Sequence, residues 1–187
     1  ICFAIYLMCT FGSAFYNVNL AFVTVCVGVI YAAMTAIFAR ISGAQFNPAV
    51  TVAAMLTSKT KVWDGICYIV AQILGAIVAG GLLRLVLPTS ESVAANQWYA
   101  MAVNGYDKGS SLYTSLNSLG LTFSITVAII VELLASIIVV AAAMVSMRKH
   151  GKVRSDYALV MGVAYAAASA MSFPVTGASI NPARATG

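Results

Sequence analysis

Charge is scarce in this sequence. Only 8% of its 187 residues are Asp, Glu, Lys or Arg, against 61% hydrophobic, which leaves too few polar side chains to wrap a water-facing globule of this size. A soluble domain is excluded, and lipid is the solvent for most of the chain. Histidine is nearly absent: the single one, His150, sits in a basic segment with no second ligand, so it reads as a solvated surface residue and no metal site is expected. No two side chains fit the roles of nucleophile and base, so neither an enzyme nor a cofactor is expected. No Asn-x-Ser/Thr acceptor occurs, and the first residue is Ile1, so no initiator methionine or leader can be read and the chain looks cut at its N-terminus. The four cysteines, Cys2, Cys9, Cys26 and Cys67, all fall in apolar stretches and read as small buried hydrophobes rather than disulfide partners.

What charge there is has a pattern. Ten Lys and Arg against five Asp and Glu give a formal charge of +5. A nucleic-acid partner would need the basic residues clustered with base-stacking aromatics, and none is expected here. Arg40, Lys59 and Lys61, then Arg148, Lys149, Lys152 and Arg154, sit in two short segments between hydrophobic runs. That is the distribution of cytoplasmic loops.

A helix needs about 17–25 apolar residues to cross a hydrocarbon layer about 30 Å thick. Five runs meet or approach that length: 1–16, which is short, then 20–41, 62–87, 119–147 and 157–173. Lys59 and Lys61 follow the second run and the RKHGKVR segment follows the fourth, placing both loops inside. The polar segment 88–118, with Pro88, Glu91, Asp107 and Gly109, belongs to the opposite face. Trp63 reads as an interfacial anchor near the inner end of the third run.

Two connecting segments are apolar and contain an Asn-Pro-Ala triplet: SGAQFNPAVT at 42–51 and TGASINPARA at 176–185. Asn47 and Asn181 lie 134 residues apart, and Gly43 with Gly177 and Ala44 with Ala178 repeat at the same offset. This is an internal duplication. With three spans per half, an odd number, the halves must lie in the membrane in opposite senses.

Within each triplet the Asn oxygen can cap a helix, and Pro at the first helical position has a preset φ and no amide hydrogen to strand. A helix is therefore expected to start at Pro48 and Ala49, and another at Pro182 and Ala183. The eleven residues from Asn47 to Thr57 would span about 16 Å, half the hydrocarbon core. Such a half-helix starts near the midplane. Non-helical backbone at that depth needs a wet cavity or protein around it, and a single-file column of water or solute would satisfy the carbonyls of 43–46 and 177–180.

On these motifs the chain resembles the aquaporin, or major intrinsic protein, family. Gln72 and Glu132 also stand where that family carries those residue types. The resemblance implies an all-α membrane protein: an inverted repeat of three spans plus a re-entrant half-helix, here lacking the sixth span. It also implies one transmembrane channel domain over 1–187, with a first repeat at 1–87, an outer connecting loop at 88–118 and a truncated second repeat at 119–187. The implied activity is passive flow of water through a homotetramer in a lipid bilayer. The helix dipoles, the amides of Asn47 and Asn181 pointing hydrogens into the lumen, and the charge of Arg184 would exclude ions and protons.

Carrying the family's narrow filter across by spacing from the two Asn residues gives Val27, Ser169, Ala178 and Arg184. Strict water channels of the family place a bulky aromatic and a histidine at the first two positions; glycerol channels place an aromatic where Ala178 stands and an Asp where Ala185 stands. This sequence has neither set, which leaves water alone open against a broader range including urea, ammonia, hydrogen peroxide or glycerol. Glu132 lies at the centre of its span, where an ionised carboxylate costs on the order of 2.5–3.5 kcal/mol, so it needs a partner. An ion-coupled small-solute transporter using Glu132 as a proton relay is the alternative. The resemblance instead implies an acid that accepts hydrogen bonds from a re-entrant loop. A structural junction protein of the same fold is a further rival.

Overall fold

The computed structural model describes residues 1–15, 19–87, 102–109, 117–149 and 152–187. Most of the 88–118 loop, and His150, whose reading as a surface residue falls there, lie outside these. Among the described residues the chain is helical, with a single isolated bridge between Met147 and Val153. The helices are α1 (Cys2–Phe15), α2 (Leu20–Ser42), α3 (Pro48–Leu56), α4 (Val62–Val86), α5 (Ile125–Ser146), α6 (Tyr157–Thr176) and α7 (Pro182–Thr186). Four of them, α2, α4, α5 and α6, are long and apolar enough to cross a membrane. The protein is an integral, multi-pass membrane protein.

Local chemistry sets the ends. Asn19 accepts a hydrogen bond from the Phe22 amide to start α2, and α2 and α6 both stop at a glycine in the left-handed region, Gly43 at φ 70° and Gly177 at φ 75°, where no Cβ opposes the turn. Two expected boundaries move. The run expected from 119 becomes helical only at Ile125, because Gly120 turns the chain at φ 72° and Ser124 supplies the cap. The run expected to end at 173 continues to Thr176 with Pro174 inside the helix.

The first half-helix, α3, has nine residues and so rises about 14 Å, just under half the hydrocarbon layer. It leaves the membrane interior at the basic loop. There Lys59 Nζ donates to the Met147 carbonyl, and Arg40, Lys59, Lys61 and Lys152 line one open vestibule. Both basic segments therefore share a face.

The core is built where α2 crosses α6. A Cβ on Gly28 would fall 2.6 Å from both the Ala166 Cβ and the Gly162 carbonyl, and one on Gly162 would fall 2.6 Å from the Ala32 Cβ. Gly28 and Gly162, and Ala32 and Ala166, are each 134 residues apart, so the closest approach is made by the same residues of the two repeats. Small residues permit it, as lipid-embedded helices require in the absence of a hydrophobic drive between them. The outer faces stay apolar and exposed: Val29 and Ile37 on α2, Leu74 and Val78 on α4, Ile129 and Leu133 on α5. Lipid solvates such faces. Cys67 is on this surface and Cys26 is half-buried, whereas Cys2 and Cys9 are buried; all four are free thiols. The expectation of four buried cysteines is corrected, since lipid accepts a thiol as readily as the core does.

Candidate functional site

The two Asn-Pro-Ala segments meet inside the fold. Asn47 Oδ1 accepts from the Ala49 amide at 2.9 Å, and Asn181 Oδ1 accepts from Ala183 at 3.0 Å and Arg184 at 3.4 Å. Each Asn thus caps its own helix, with Pro at the first helical position, as the residue types dictate. The amide nitrogens do something the sequence did not announce. Asn47 Nδ2 donates to the Ile180 carbonyl at 3.1 Å, and Asn181 Nδ2 donates to the Phe46 carbonyl at 2.8 Å. Each segment is tied to the residue preceding the other's Asn. An amide nitrogen carries two hydrogens, so one on each Asn is committed to the opposite segment, and the expectation that these amides point hydrogens into a lumen rests on the other.

The loop carbonyls are likewise served by protein. Gln72 Nε2 donates to the Gln45 carbonyl and to Thr51 Oγ1, and Gln45 Nε2 donates to Thr60 Oγ1 at 2.7 Å. In the second segment Arg184 Nη1 donates to the Ala178 carbonyl and Nη2 to the Gly177 carbonyl. The Ile180 carbonyl accepts from Ser136 Oγ as well as from Asn47. A water column is therefore not needed to satisfy these four carbonyls or that of Phe46.

Glu132 faces the second segment. Its Oε1 accepts from the Thr176 hydroxyl and from the Ser179 amide at 2.9 Å, and its Oε2 accepts from the Ile180 amide at 2.6 Å. Amide donors of this kind offset the desolvation of a carboxylate. They also hold Ile180 at φ 54°, a left-handed conformation that costs a β-branched residue on the order of 1–3 kcal/mol.

Arg184 is 3% exposed. Nη1 donates to Asn104 Oδ1 at 2.6 Å in addition to the Ala178 carbonyl, and Nη2 approaches Cys9 Sγ at 3.8 Å in addition to the Gly177 carbonyl. Of five guanidinium hydrogens, four have partners, and the Nε hydrogen has none among the described residues. Every one of these partners is neutral, and among the described residues no carboxylate contacts the guanidinium. Among the described residues, the Nε hydrogen alone is left for a passing oxygen. Tyr6 Oη donates to the Arg184 carbonyl at 2.7 Å, fixing α7 to α1.

Val27, Ser169, Ala178 and Arg184 line one cavity, together with Ile5, Cys9, Thr24, Tyr165 and Phe173; its volume is about 10 Å³, room for about one water. Ser169 Oγ and Tyr165 Oη, like Arg184 Nε, are buried without a partner among the described residues. Buried polar atoms without partners are rare in folded proteins. Three of the eight such atoms among the described residues line this one cavity, where a polar guest could bond to them. Sequence reasoning missed Asn104, Tyr165 and Cys9 here. Asn104 lies in a polar loop with no motif, and the other two read as packing residues; the only available signal was Tyr165 lying four residues before Ser169, on the same helical face.

Comparison with known proteins adds to this geometry. The family model described as Major intrinsic protein matches residues 1–187. Among curated proteins the chain is similar to Aquaporin-4 of Homo sapiens, 33% identical over 170 residues, covering 91% of this chain and 47% of that protein. It is also similar to Aquaporin Z of Bradyrhizobium diazoefficiens, 30% identical over 177 residues, covering 94% of this chain and 66% of the relative. A third relative, Aquaporin Z of Rhodopseudomonas palustris, is 32% identical over 177 residues with the same coverage. The chain thus spans 47% to 66% of the length of these relatives.

Proposed function

The chain belongs to the major intrinsic protein family, and from that premise we propose that the whole protein is a channel for passive flow of water and small neutral solutes that excludes ions and protons. The observation that carries this is the reciprocal pair of bonds from Asn47 to Ile180 and from Asn181 to Phe46, which holds two helix starts against each other in the middle of a membrane fold. Asn47, Pro48, Ala49, Asn181, Pro182 and Ala183 form the central station of the conduit. Val27, Ser169, Ala178 and Arg184 form its filter, where atoms of Ser169 and Arg184 that have no partner among the described residues replace part of a solute's hydration.

Ion exclusion rests on charge. The Arg184 guanidinium, held by neutral partners among the described residues, together with the helix-start amides, disfavours a cation in a low-dielectric passage. Glu132 has its two oxygens occupied by two amides and a hydroxyl, which favours a loop anchor over the proton relay of an ion-coupled transporter. The protein assembles as a homotetramer, as the family resemblance implies.

Stopped-flow light scattering on proteoliposomes of the full-length protein tests this, first with an impermeant osmolyte and then with glycerol and urea. Fast water flux with a low activation energy, electrically silent in voltage clamp, is expected. A saturable flux that follows a pH gradient would point to a carrier, and vesicles no leakier than bare lipid would point to a junction protein.

A further inference from the structure

Resting on the channel reading above, we infer that the narrowest, size-determining point of the conduit is the stacked pair Tyr31 and Tyr165, and that it restricts passage to water-sized solutes. The four filter positions do not set the limit. Their side chains, Val27, Ser169 and Ala178 beside Arg184, are small on three sides, which taken alone predicts a wide opening. The tyrosines lie one helical turn inward on the same faces: Tyr31 is four residues after Val27 on α2, and Tyr165 is four residues before Ser169 on α6. Their rings stack with centroids 4.2 Å apart and planes inclined by 17°. Each ring is 1% exposed.

Two contacts place the stack on the route. On one side Tyr165 lines the filter cavity itself, beside Ser169 and Arg184. On the other, the Tyr31 ring meets the Phe46 ring edge-on at 6.1 Å, and the Phe46 carbonyl is the acceptor of the Asn181 amide. The pair therefore fills the gap between the filter cavity and the two Asn residues. The filter cavity, at about 10 Å³, is bounded by this aromatic wall.

The sequence relation between the two rings supports the placement. Tyr31 and Tyr165 are 134 residues apart, the offset that relates the two Asn residues, so the same position of each repeat supplies one ring and the rings meet where the repeats meet. Tyr165 Oη has no partner among the described residues, so no hydrogen bond pins that hydroxyl, and a passing water can take it as donor or acceptor. A wider solute must displace a ring.

The test measures water, urea and glycerol permeability in proteoliposomes of the full-length protein for wild type, Tyr31→Ala, Tyr165→Ala and Tyr165→Phe. Tyr31→Leu is added as a second volume-reducing variant, and monodispersity is checked for each. Wild type should pass water and reject urea and glycerol. Each variant lacking one ring should raise the urea-to-water permeability ratio about tenfold or more, whereas Tyr165→Phe, which keeps the ring and loses only the hydroxyl, should not raise it. Wild type that already passes urea and glycerol freely would overturn the inference while leaving a channel in place. The same holds if monodisperse Tyr31→Leu and Tyr165→Ala keep the wild-type ratio. Wild type and variants no more permeable to water than bare lipid would overturn the channel reading and this inference together.

Discussion

The two re-entrant segments share a plan and differ in what holds them. Both turn through a Gly and an Ala in the left-handed region, at φ 70° and 49° for Gly43 and Ala44 and at 75° and 56° for Gly177 and Ala178, and both end in an Asn that caps a helix and reaches across to the other. The first is held by a neutral side chain, Gln72, which donates to a carbonyl and a hydroxyl. The second is held by an acidic one, Glu132, which accepts from two amides, and by Arg184, which gathers two more carbonyls and the Asn104 side chain. Only the second carries a left-handed β-branched residue, Ile180. The duplication supplies the path of the chain, and Glu132 and Arg184 then tie one copy down with more side-chain bonds than the other.

Removing the anchors should separate the two halves most. Glu132→Ala strands the part-buried Ser179 and Ile180 amides, at about 1–3 kcal/mol per unsatisfied group, and frees Ile180 to leave φ 54°. Gln72→Ala strands one carbonyl, which should cost about 1 kcal/mol. Thermal unfolding in detergent should therefore rank wild type above Gln72→Ala, and Gln72→Ala well above Glu132→Ala. Equal losses would erase the difference between the halves. Glu132→Gln should fold and conduct, though less stably, because one acceptor becomes a donor. A pH-dependent transport rate abolished in that variant would instead restore the proton relay.

Next in size is the crossing of α2 and α6, where the repeats are most alike. Gly28→Ala and Gly162→Ala each place a methyl 2.6 Å from a neighbouring Cβ and within 2.8 Å of a backbone carbonyl, and overpacking of this kind costs about 1–3 kcal/mol. Because the environments mirror each other, the two unfolding temperatures should fall by similar amounts. A loss confined to one of them would show that the halves are not equivalent even there.

Charge at the centre should matter to conduction more than to folding. Asn47→Asp and Asn181→Asp each keep an oxygen for the helix cap, remove the donor to the opposite carbonyl, and add a negative charge. Cation or proton conductance should appear in voltage clamp. It should be smaller for Asn181→Asp, whose helix carries Arg184 three residues on. A pore that stays silent in both would refute exclusion by these groups.

The smallest effect belongs to the filter. Val27→Phe with Ser169→His narrows the four-residue station, yet the tyrosine pair lies further in, so water flux should persist and the ratio of urea to water should change little. A wild type that passes urea, with that flux falling sharply in the double variant, would put the size limit back at the filter.

Much of this was readable without coordinates, and for identifiable reasons. The two triplets name their own caps, because Asn and Pro have only a few helical positions that suit them, and the 134-residue offset carried the inverted repeat with it. Span ends were less readable at Ile125 and Thr176, where a turn at Gly120 and a proline tolerated inside α6 overrode the hydrophobic pattern. The cysteines misled because apolar sequence does not distinguish the core from the lipid face.

Composition and repeat thus determined a multi-pass helical membrane protein with two helix starts at its centre, since lipid leaves the backbone no other way to satisfy its hydrogen bonds. Tertiary structure alone decided the pairing: that each Asn reaches the carbonyl before the other, that Asn104 comes to Arg184, and that Tyr31 meets Tyr165. Each of these contacts joins residues from 80 to 135 positions apart. No local pattern encodes such contacts, because they exist only once the two inverted halves have packed.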